Sequence, residues 1–75
     1  MNHAQERQHL AQADRYIVDL KAQLVRQRVL VKHVRDKGQP SQIAESLLDA
    51  LEGSLRIFEK HRDLILAQLQ RQPSE

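Results

Sequence analysis

The segment Lys37-Gly38-Gln39-Pro40-Ser41 decides how this chain folds, because it is the one strong break in an otherwise helix-forming sequence. Glycine enters the left-handed conformation that ends a helix at little steric cost, and proline cannot continue a helix. Working outward, apolar residues recur at steps of three and four on both sides. Before the break they are Leu10, Ala13, Ile17, Leu20, Leu24, Val31 and Val34, with Gln27 in the one gap. After it they are Ala44, Leu48, Leu51, Leu55, Phe58, Ile65 and Leu69, with Arg62 in the gap. That spacing is helical, and neither arm alternates as a strand would. It predicts an all-α chain: a helix over about 3–37, a turn at 38–41, a helix over about 42–71 and a frayed tail at 72–75 following the break at Pro73. Ser41 is the expected N-cap of the second helix, its hydroxyl accepting from an exposed amide of the first turn.

Composition bounds the rest. At 75 residues the chain is one domain, with no Cys, no Trp, one Tyr and one Phe. Disulfides and Cys-ligated zinc are excluded, and so few aromatics leave Leu, Ile, Val and Ala to do the packing. A chain this short without such staples commonly gains stability by oligomerising. The longest purely aliphatic run is Val29-Leu30-Val31, far below the roughly 20 residues that span a bilayer. The opening residues carry no apolar stretch of the signal-peptide kind, so a cytoplasmic protein without a membrane partner is expected.

Folding back at the break makes a specific register. With Ile17 and Leu48 at heptad position a, and Leu20 and Leu51 at d, the e positions include Lys21, Arg28 and Arg35 on the first arm and Glu45, Glu52 and Glu59 on the second. In an antiparallel pair e faces e. Arg35 then faces Glu45, Arg28 faces Glu52 and Lys21 faces Glu59. In the same register Val31 meets Leu48 and Leu51, Leu24 meets Leu55 and Phe58, and Ile17 meets Ile65. Charge and core therefore select one alignment, an antiparallel coiled-coil-like hairpin. An exposed ion pair contributes only about 0–1 kcal/mol, so these pairs set register more than stability. Gln27, at a d position, is costly if buried without a partner. Arg62, at a, can lay its aliphatic stem along the core and place its guanidinium near Asp14 or at the surface.

One hairpin leaves apolar surface over. A further stripe runs along the second arm through Ile43, Leu47, Ala50, Ile57 and Leu64, and another along the first through Ala11, Val18, Ala22, Val25 and Val29. At the g positions Leu30 faces Leu47, Tyr16 faces His61 and Gln23 faces Ser54, with no charge pairing. The expected interface is therefore Tyr16, Leu30, Ile43, Leu47, Ala50, Ile57, His61 and Leu64. A symmetry mate is the expected occupant, giving a homodimeric four-helix bundle, since twofold dimers are the commonest closed oligomers. The competing occupant is a helix of a different protein, which would make the chain an adaptor or regulator.

Catalytic and cofactor chemistry finds little support. There is no Gly-rich phosphate loop, no Cys nucleophile and no Ser-His-acid grouping that this fold would assemble, so neither an enzyme nor a bound cofactor is expected. Glu6 and His9 form a single E-x-x-H, the spacing that di-metal bundles use, but only Gln68, Gln70 and Gln72 lie opposite to complete it. The basic run Arg26, Arg28, Lys32, His33, Arg35 and Lys37 and the pI of 9.4 raise a nucleic-acid accessory role. The net charge of only +2 and the absence of interleaved aromatics weigh against it.

The patterns H-L-A-Q-A-D-R-Y-I at His9 to Ile17, R-Q-R-V-L-V at Arg26 to Val31, G-Q-P-S at Gly38 to Ser41 and A-E-S-L-L-D-A-L-E-G-S-L at Ala44 to Leu55, followed by His61-Arg62, are generic helix and turn residues. Together they resemble a group of short bacterial hypothetical proteins that are stand-alone helical hairpins without an assigned activity. The resemblance spans most of the chain. It implies the hairpin and adds no mechanism.

Overall fold

Helix α1 (His3–Asp36) stops because Gly38 takes a left-handed conformation, φ 71°, and closes two reverse hydrogen bonds over the last turn. The Gly38 amide donates to the Arg35 carbonyl at 2.9 Å and the Gln39 amide to the Val34 carbonyl at 3.0 Å. This is the Schellman arrangement, which satisfies carbonyls that the helix end would leave without donors. Pro40 prevents the helix from restarting at once, and α2 (Gln42–Arg71) begins two residues later. The Glu45 amide donates to the Ser41 carbonyl at 2.8 Å, the first turn of α2. The Ser41 hydroxyl does not take the expected capping role: it donates to the Glu45 carboxylate at 2.6 Å. The carboxylate one turn into the helix gives the hydroxyl proton a charged acceptor, and a hydrogen bond to an ionised group is stronger than one between neutral groups.

The computed structural model describes residues 3–71, and within them the chain is an all-helical antiparallel hairpin, 60 Å in its longest dimension. The tail expected to fray at 72–75 lies outside the described residues. The first helix ends at Asp36, one residue inside the boundary read from the sequence. Among the described residues no helix is long and apolar enough to cross a membrane.

The seam follows the heptad pattern. Ala13, Ile17, Leu24 and Val31 of α1 are buried, as is Ile65 of α2. Leu48, Leu51, Leu55 and Phe58 line the other side of the seam and are only half-buried. A pair of helices has nothing above or below the line of contact, so the knobs of the shorter helix keep part of their surface in water.

Two polar residues interrupt the seam, and each finds a partner across it. Gln27 is buried, and its Nε2 donates to the Ala44 carbonyl at 2.8 Å. A carbonyl has two lone pairs and can accept this bond together with its helical one. Arg62 reaches the Asp14 carboxylate with its Nε. On the e flank Arg28 pairs with Glu52 at 3.4 Å and Arg35 pairs with Glu45. Lys21 and Glu59 border one groove together with Asp14 and Arg62, and among the described residues no ion pair joins them. Arg62 occupies a core position there and pairs with Asp14 instead.

The Arg28–Glu52 pair tests the register. Arg28→Glu should lower stability by up to about 1 kcal/mol, and adding Glu52→Lys should recover most of the loss in a urea denaturation cycle at fixed chain concentration. A double variant no better than the single one would contradict this alignment.

Candidate functional site

The two flanks of the seam differ in chemistry. The e flank carries the ion pairs just described. The g flank carries Tyr16 and Leu30 from α1 and Leu47 and His61 from α2, and beyond them α2 turns out a second row, Ile43, Ala50, Ile57 and Leu64. Exposure along it is high for aliphatic side chains: Ile43 88%, Ile57 69%, Leu64 59% and Leu47 50%. Singly exposed apolar residues are ordinary on a protein surface, whereas a contiguous row of them marks a contact surface.

A shallow groove on this flank is bordered by His9, Gln12, Ala13, Tyr16, Phe58 and His61. The Tyr16 ring packs against Phe58 with centroids 5.4 Å apart and planes tilted by 53°, an arrangement aromatic pairs favour. Its hydroxyl accepts from Gln12 Nε2 at 3.0 Å, so the phenol is held by its own helix while His61 borders the groove across from it.

The α1 stripe lies elsewhere. Ala11, Val18, Ala22, Val25 and Val29 are exposed, but Val18 borders the groove of Lys21 and Glu59, which is the e flank. The two surplus apolar stripes therefore do not merge into one surface. Position b of α1 adjoins e, position c of α2 adjoins g, and in an antiparallel hairpin those flanks face opposite ways.

Glu6 is a residue the sequence pattern could have placed. Continuing the seam backward from Ala13 and Leu10 reaches Glu6 and then His3, and Glu6 is 1% exposed in the structure. Its Oε1 and His3 Nε2 are buried without a hydrogen-bond partner among the described residues. His9 is exposed on the g flank, so the E-x-x-H pair diverges, with Glu6 to the seam and His9 to the groove. No group of three or more His or acidic side chains comes together among the described residues.

The basic run is partly engaged. Arg28 and Arg35 hold the glutamates of α2, and Lys32 binds Asp36 one turn along its own helix at 2.7 Å. No family model, curated protein or solved structure matches the chain.

At the start of α2 the hydrogen bond from the Ser41 hydroxyl is the largest influence on the Glu45 carboxyl; desolvation opposes it, and the charge and hydrogen bond of Arg35 add to it, so the carboxyl is held below its ordinary pKa. A depressed carboxyl stabilises the fold above the ordinary carboxylate range, and that contribution is lost as pH falls through its lowered pKa. Glu45→Gln should therefore melt below the parent protein at neutral pH and match it in strong acid, followed by circular dichroism. An equal difference at both pH values would contradict the assignment.

Proposed function

We propose that this protein works by association rather than catalysis, with a second copy of the chain covering the g flank and joining two hairpins into a four-helix bundle. One observation carries the reading: the seam residues Leu48, Leu51, Leu55 and Phe58 are half-buried, and Ile43, Leu47, Ile57 and Leu64 are exposed beside them. A second layer of helices on this flank removes the exposed row from water together with the part of Phe58 that borders the g-flank groove, while Leu48 borders the e-flank groove of Arg28 and Arg35. Each such side chain contributes about 1.5–3 kcal/mol when it passes from exposed to buried, which is the scale on which a short helical pair gains stability. The g flank is also the uncharged side of the seam, so no paired charge has to be desolvated along its middle.

The reading gives the protein the role of a structural or regulatory building block whose outward surface, including the α1 valine stripe, stays available on the assembled bundle. The same face could instead take an amphipathic helix from another protein, and the two occupants differ in how the purified chain behaves alone.

Sedimentation equilibrium over a range of concentrations, with helicity followed in the same samples, separates them. The expected result is a helical species of twice the 8.7 kDa chain mass. Replacing Leu47 and Ile57 together by Asp should give monomer with reduced helicity. A parent chain that stays a well-folded helical monomer throughout would contradict self-association and favour the foreign helix.

A further inference from the structure

We infer that the two copies pair α1 on α1 and α2 on α2, antiparallel, about a twofold axis at the level of Gln23 and Ser54, with the two turns at opposite ends. The inference rests on the self-association just proposed and goes on to its orientation and register.

Levels along the hairpin come first. Tyr16 and His61 border one groove, and a heptad further along each helix brings Gln23 level with Ser54 and Leu30 level with Leu47. A face-to-face twofold pair can then be built in two ways. With the turns at the same end, α1 of one copy lies over α2 of the other. With the turns at opposite ends, each helix lies over its own copy.

The outer rows choose between them. On α2 this row is Ile43, Ala50, Ile57 and Leu64, all apolar, and at the same angular position on α1 it is Gln12, Asp19, Arg26 and His33, all polar. Same-end pairing would press Asp19 onto the partner's Ile57 and Arg26 onto the partner's Ala50. Charges would lose water there and gain no partner, which is costly. Opposite-end pairing sets like against like. Ile43 meets the partner's Leu64, and Ala50 meets the partner's Ile57. On α1, Asp19 meets the partner's Arg26, twice by symmetry, and Tyr16 meets the partner's Leu30. One axis position satisfies both helices, because 19 and 26 straddle the level of Gln23 as 50 and 57 straddle that of Ser54.

The middle of α2 fits a close approach. Ala50 and Ser54, with Gly53 beside them, make this level the slimmest of the helix, and the spacing of packed helices follows the size of the side chains between them. Gly53 costs about 1 kcal/mol relative to Ala in a helix interior. Among the described residues a Cβ there would meet only the tip of Arg56, at 3.9 Å.

The chain has no Cys, so single introduced thiols report the geometry directly. Ser54→Cys lies on the axis and should oxidise to a disulfide-linked dimer nearly to completion while the helices stay folded. Ile43→Cys alone should remain unlinked, whereas mixing it with Leu64→Cys should give the crossed pair. Asp19→Arg or Arg26→Asp should weaken the dimer several-fold, and the double reversal should restore it. If Ser54→Cys sediments as a dimer but links only to Gln23→Cys, the turns lie at the same end and this orientation is wrong. If the parent chain sediments as a monomer, the self-association beneath it is wrong.

Discussion

Two helices lying side by side cover each other along one stripe only, and the half-open seam between α1 and α2 is the constraint on which the rest of this structure depends. Where α1 is deepest, Ala13, Ile17, Leu24 and Val31 are buried, yet most of the facing residues of α2 stay half in water. The hairpin turn supplies closeness without coverage. Gly38 fixes the direction of the return, and the reverse hydrogen bonds to Arg35 and Val34 make the return compatible with a satisfied helix end. What the turn cannot supply is a third wall, and the exposed row through Ile43, Leu47, Ile57 and Leu64 stands where such a wall would rest.

The two flanks of the seam divide the work. On the e flank Arg28 with Glu52 and Arg35 with Glu45 pair near the turn, and Arg62 with Asp14 pairs further away, so that alignment is marked along most of the length. Between them Gln27 reaches the Ala44 carbonyl, a bond available at one register alone. Slipping the helices by one residue would leave a buried amide unpaired, a larger penalty than the loss of any exposed ion pair. The g flank is free of such markers, which suits a surface whose partner lies outside the hairpin.

Much of the hairpin is legible in the amino-acid sequence, for identifiable reasons. The heptad steps through Ile17, Leu24 and Val31 are long and regular, and Gly38 with Pro40 is a strong stop signal, so helix number, turn and register all follow from local rules. The reach of Arg62 toward Asp14 is legible too, because a long stem at a core position has few places to put its charge. Other features need three dimensions. The heptad steps carried back past Leu10 put Glu6 on the seam, but they do not say that its carboxylate stays buried there instead of turning to water. The Ser41 hydroxyl has two acceptable partners in sequence, and only the geometry of the turn sends it to Glu45. That the α1 valines and the α2 isoleucines lie on opposite flanks depends on which way the pair of helices faces, which periodicity within one helix does not contain. The proposed function is the least legible part, because an association face of the kind proposed needs only shape and apolarity, and leaves no motif of the kind a catalytic site requires.

Covering the seam along its whole length has a direct physical signature in the size of the particle relative to its mass. Small-angle X-ray scattering on the purified chain, with mass measured on the same sample, reads both at once. Side-by-side pairing predicts twice the 8.7 kDa chain mass in a particle whose longest dimension stays close to the 60 Å of one hairpin. A single-chain mass, or a doubled mass in a particle approaching twice that length, would contradict it.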